Sequence, residues 1–209
     1  MDSKMQTGLL LVLGPIISAL GWFVFYPANG SDSAQAMAAD LMGDPDVAKV
    51  GILLGFGGMI ATLMGLINIS RKMLLAGGAG ASYANIATFL NMALIALLLT
   101  GTGLELGVTE ATSAQGGVTL MGVSKAVGDP LSIPLGIALI LIGVAIAREK
   151  SFHVAVAAFG VVVGALLVIS VPGLIFEAGS DVAQAVQIAG WMGFMLNGIV
   201  LGVSKLRAD

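Results

Sequence analysis

Residues 51–72 read GILLGFGGMIATLMGLINISRK: twenty uncharged residues closed by Arg71 and Lys72. As a helix rising 1.5 Å per residue, about twenty residues cover about 30 Å, the thickness of a bilayer's hydrocarbon core. A basic pair at the end of such a run is retained on the cytoplasmic side. The same grammar recurs down the chain. The reading is an all-α polytopic membrane protein, a six-helix transmembrane bundle in which residues 1–209 form a single integral membrane domain.

Composition carries the same message. Of 209 residues, 57% are hydrophobic and 10% charged. Soluble domains carry about 25% charged residues, so a water-facing surface is excluded for a chain of this size. Thirty glycines suit close helix contacts in lipid, where small residues let backbones approach. The absence of cysteine removes disulfides, thiolate metal sites and cysteine nucleophiles. No cluster of Lys and Arg points to nucleic acid.

Spans are expected over residues 8–26, 51–70, 82–100, 131–147, 151–170 and 183–203, with outer segments at 27–48, 101–128 and 172–181. Pro15 lies inside the first span, and Trp22 and Tyr26 lie near its far end, where aromatic rings favour the headgroup zone. This run is longer than the apolar core of a signal peptide and is expected to be retained. In the first outer segment Asp32 and Gln35 suit a helix start, and Ala34, Met37, Ala38 and Leu41 share one face. That predicts a short helix on the outer surface, ended by Gly43. Asp44-Pro45 and Asp129-Pro130 both read as a capping acid followed by a first-turn proline. Ser82 suits a cap, and Pro172-Gly173 a stop.

Charge tests this threading. Lys4, Arg71, Lys72, Arg148, Lys150, Lys205 and Arg207 fall on one side, and Lys49 and Lys125 on the other. Positive charge is kept inside, so both termini are expected in the cytoplasm, and the membrane is taken as the cell's plasma membrane. Asp32, Asp40, Asp44, Asp46, Glu105, Glu110, Asp129, Glu177 and Asp181 fall in the outer segments, which are expected to be solvated.

Short echoes link the hairpins. GSDSAQA at 30–36 resembles GSDVAQA at 179–185, SAQ recurs at 113–115, and GDP recurs at 43–45 and 128–130. Three tandem hairpins of about 70 residues each would account for them. Helix capping, which selects Ser, Asp, Gln and Pro at such places, accounts for them as well.

The spans hold few groups capable of chemistry. No ionisable residue stands near the centre of any of them, which argues against a proton relay or a retinal lysine. His153, the sole histidine, stands at the start of the fifth span. Its bland reading is an interfacial polar residue, and its functional reading a pH-sensitive gate. It has no second histidine or cysteine with which to hold haem or zinc. Asn85, Thr88 and Asn91 form an i, i+3, i+6 stripe on the third span, and Asn197 is a deep amide in the sixth. They suit bonding between helices or the lining of a polar path. Gly51/Gly55, Gly160/Gly164 and Gly198/Gly202 have the GxxxG spacing of helix contacts, within one chain or between chains. Asp40, Asp44 and Asp46 lack a calcium-loop pattern, so no metal site is expected. No cofactor is expected either.

The resulting expectation is a non-enzymatic membrane component: an accessory subunit, a scaffold or a lipid-contacting bundle. Its partners would be the lipid bilayer and either further copies of the chain or a partner membrane subunit. The alternative is a passive channel or facilitator for a small neutral solute, along Asn85, Thr88, Asn91 and Asn197. An enzyme ranks third, because the spans lack an acid–base pair.

Overall fold

The computed structural model describes residues 3–30, 32–175 and 180–207. Every regular element among them is helical. In order these are α1 (Ser3–Leu20), a wide π turn (Gly21–Phe25), α2 (Ala34–Gly43), α3 (Pro45–Ala76), α4 (Ala81–Thr109), α5 (Ala114–Gly128), a 3-10 turn (Asp129–Leu131), α6 (Ser132–Glu149), α7 (Val154–Ile175) and α8 (Ser180–Arg207). Six helical stretches are long and apolar enough to cross a membrane: Ser3–Phe25, Pro45–Ala76, Ala81–Thr109, Ala114–Glu149, Val154–Pro172 and Asp181–Arg207. The chain is a six-helix, multi-pass membrane protein. Large apolar side chains such as Phe89, Val162 and Ile169 point away from the protein, toward lipid.

The helices outrun the spans read from hydropathy. At 32 residues, α3 extends to about 48 Å, well beyond the bilayer core. It passes through Arg71 and Lys72 and ends before Gly77, which adopts φ 66°. A basic residue ends a hydropathic run, but it does not end a helix. Only a break in backbone pairing does that, and glycine supplies it in the left-handed region. For the same reason α4 continues nine residues past residue 100, and α7 continues through Pro172 to Ile175. Pro172 therefore does not stop the helix, although it removes one backbone donor. Glu177 and Gly179, assigned to the last outer turn, lie outside the described residues.

Several caps also differ from expectation. Ser33, not Asp32, caps α2 by accepting the amide of Ala36 at 3.2 Å. Asp44 caps α3 as expected, accepting from Val47 N–H at 3.3 Å. Asp129, its apparent repeat, does not: its backbone is helical and it continues α5 into the 3-10 turn. Ser82 falls inside α4, which starts one residue earlier.

The contacts divide the chain into two compact units, one of residues 1–15, 61–94 and 130–209, the other of residues 16–60 and 95–129. Helices α1, α3 and α4 contribute to both. In the first unit α7 packs against both α6 and α8. Gly136 of α6 and Gly164 of α7 are placed so that a methyl group on either would meet the other's carbonyl oxygen. Gly190 and Gly193 of α8 receive Leu167 and Val163 of α7, and Leu11 of α1 fits against Gly65 and Gly202. In the second unit α2 lies on α5, burying Met37, Ala38 and Leu41. Its apolar face is spent on another helix, and Met42 reaches the bare backbone of Gly117.

Candidate functional site

Three groups of polar residues stand out, and they differ in how completely the protein satisfies them. The first is in the second unit. Gly21 and Gly55 meet backbone to backbone, and the Ser18 hydroxyl donates to the Gly55 carbonyl at 2.9 Å. This close approach leaves room for Trp22 over Gly55, edge-on to Phe56 at 5.0 Å and to Tyr26 at 4.7 Å. Tyr26 follows the π turn, closed by its amide on the Gly21 carbonyl at 2.8 Å. Its hydroxyl donates to Glu105 Oε2 at 3.0 Å, and Ser124 Oγ donates to Oε1 at 3.1 Å.

Glu105 is therefore not a solvated outer acid. It is 6% exposed, within α4, with one hydroxyl donor on each carboxylate oxygen. A buried carboxylate needs such partners, because leaving it bare would cost several kcal/mol. Glu110 keeps the expected exposure and pairs with Lys49. Lys125 reaches the Gly30 carbonyl at 3.1 Å.

The second group is the amide and hydroxyl stripe of the first unit. Asn85 is half-buried, while Thr88 and Asn91 are buried. Thr88 donates to the Ala84 carbonyl of its own helix at 2.8 Å. Asn91 is 0% exposed, and neither its Nδ2 nor its Oδ1 has a hydrogen-bond partner among the described residues. Asn197 is buried on α8, with Oδ1 likewise unpaired. No hydrogen bond joins the two amides, so the expected interhelical pairing through Asn91 does not form. Asn197 lies instead beside Gly160 of α7, where an added methyl group would meet it only at ordinary contact distance.

The remaining glycines of the three spaced pairs line close contacts. Gly51 lies against the backbone of Phe25 and Tyr26, and Gly55 under Trp22. Gly198 faces Pro15, Leu11 and Thr62, and Gly202 faces Gly8, Leu11 and Val12.

The third group surrounds His153, also in the first unit. Its Nδ1 accepts from Ala155 N–H at 3.2 Å, and its carbonyl accepts from Val156 N–H at 2.9 Å. The residue thus caps α7, and in the neutral ring Nε2 carries the proton. Nearby, Glu149 Oε1 accepts from Gly80 N–H at 2.6 Å, tying the α6 end to the α3–α4 turn. Arg148 stacks over the Tyr83 ring at 5.1 Å. A cavity of about 510 Å³ opens here, with Lys72, Lys205, His153 and Glu149 on its walls.

No family model, curated protein or solved structure matches this chain. Among the described residues no three His, Cys, Asp or Glu side chains gather closely enough to hold a metal ion. Sequence reasoning missed both Glu105 and the cavity. Glu105 left a trace: Leu98, Gly101, Glu105 and Val108 repeat at helical spacing, and all four are buried. The cavity left none, because its walls come from segments distant in the chain.

Proposed function

We propose that this protein is a non-enzymatic membrane component, a lipid-contacting helical bundle that serves as a scaffold or accessory subunit. The observation that supports the reading is how the polar residues are spent. Glu105 is held by two hydroxyls, Glu149 by a backbone amide, Thr88 by its own helix, and His153 as a cap. Groups committed to architecture in this way are not poised as acid, base or nucleophile. We place the protein in the plasma membrane with both termini in the cytoplasm. Seven of the nine basic residues fall in the segments assigned to that side.

One observation favours a second reading, a passive facilitator for a small neutral solute. Asn91 buries both a donor and an acceptor without a partner among the described residues. Such a group usually has a water or a ligand to bond. Liposome swelling separates the two readings. The full-length protein is reconstituted and challenged with glycerol and urea. Under the scaffold reading, swelling matches that of protein-free liposomes. Faster swelling that Asn91→Leu abolishes would replace it with the facilitator.

A further inference from the structure

The cavity beside His153 combines features that neither a scaffold nor a solute path requires. Lys72 comes from α3, Lys205 from α8, and His153 from the turn before α7. Three segments remote in sequence bring two cations and one ring N–H donor to one opening. Ser151 and Ser204 add hydroxyls. Ile69, Met73 and Phe152 add apolar lining. Among the described lining residues Glu149 is the one acid, and its Oε1 is engaged by Gly80 N–H. The described lining thus brings two lysines together with one acid, with hydroxyl and ring donors beside them.

We propose that this cavity binds a phosphate group carried on an apolar body, as an anionic phospholipid presents it. Lysine binds phosphate as a point charge, and serine hydroxyls and an imidazole N–H complete the oxygen partners. At about 510 Å³ the cavity falls in the range of roughly 300–1,000 Å³ typical of small-molecule sites. That is far more room than a bare phosphate needs, and the apolar lining suits the glycerol and first methylenes of a lipid. Basic pockets between transmembrane helices on the cytoplasmic side are places where such headgroups bind. The inference does not depend on whether the bundle is a scaffold or a facilitator, because headgroup binding and solute flux are separate readouts.

The test uses the full-length protein in phosphatidylcholine nanodiscs doped with phosphatidic acid or phosphatidylglycerol, with lipid retention read by native mass spectrometry. A parallel calorimetric titration in neutral detergent uses inorganic phosphate and glycerol phosphate. The variants are Lys72→Gln with Lys205→Gln, the charge-neutral block Ala76→Phe in the cavity wall, and a charge-matched control, Arg71→Gln with Lys150→Gln. Melting in neutral detergent confirms that each is folded, and the block preserves every charge should the lysine pair fold poorly.

The expected result is retention of the anionic lipids over phosphatidylcholine, weakened roughly tenfold or more by the lysine pair and by the block, but not by the control. Saturable binding of the soluble phosphates with the same variant dependence, and no preference among lipids, would uphold the phosphate site and assign it a soluble ligand. Loss of binding that is equal in the control, or no preference in either arm, would overturn the proposal.

Discussion

Glu105 shows how a single side chain can defeat hydropathy. An acid between two leucines reads as the edge of a water-exposed segment, yet its carboxylate is buried and held by Tyr26 and Ser124. Those donors come from residues 79 and 19 positions away, so no local window contains them. Tyr26→Phe keeps the ring contact with Trp22 and removes one donor. We expect it to cost about 1–3 kcal/mol, seen as a lower melting temperature in detergent, because one carboxylate oxygen loses its protein donor. Ser124→Ala should act in the same direction. Asn91 behaves oppositely: with no partner to lose among the described residues, Asn91→Leu should leave stability unchanged or raise it. A marked fall in melting temperature would mean that the amide has a bonding partner after all. The sequence marked Asn91 as notable through its spacing with Asn85 and Thr88, but the spacing could not say whether it was paired.

Among the helices, glycine spacing marked contacts without ranking them. Gly160 and Gly164 sit on one face of α7 and look equivalent in sequence. A methyl group at Gly164 would run into the Gly136 carbonyl, which is backbone and cannot rotate away. One at Gly160 would meet the Asn197 side chain at 3.5 Å, an ordinary contact. Gly164→Ala should therefore force α6 and α7 apart and cost about 1–3 kcal/mol. Gly160→Ala should be tolerated, since Ala gains up to about 1 kcal/mol of helix propensity. Thermal unfolding of the two variants side by side checks the contrast, and equal losses would contradict it. Helix ends follow the same logic. Asp44 and Asp129 carry the same Asp-Pro signature, but only Asp44 stands where the chain enters a helix from a non-helical conformation. Asp129 arrives already helical from α5, so it has no freed amides to cap.

For the whole protein, threading is the property most open to direct measurement. The natural chain has no cysteine, so single cysteines report without background. Asp40→Cys on α2 and Leu75→Cys at the end of α3 are both at exposed positions. With both termini in the cytoplasm, an impermeant maleimide should label Asp40→Cys in intact cells and Leu75→Cys only after permeabilisation. The reverse pattern would invert the protein and move the His153 cavity to the outer face.

Hydropathy alone was enough for the class of the protein, the number of its crossings and the separation of basic from acidic segments. Those properties are sums over local runs, set by the cost of placing a charge or an unpaired amide in hydrocarbon. Packing determined that Glu105 is buried, that Asn91 finds no partner among the described residues, and that Lys72, Lys205 and His153 share one cavity. Each of these depends on which distant segments come within hydrogen-bonding or van der Waals reach. Such proximity is a property of the folded chain: helical spacing hints that Glu105 is buried, but nothing in the order of the residues names the partners it meets.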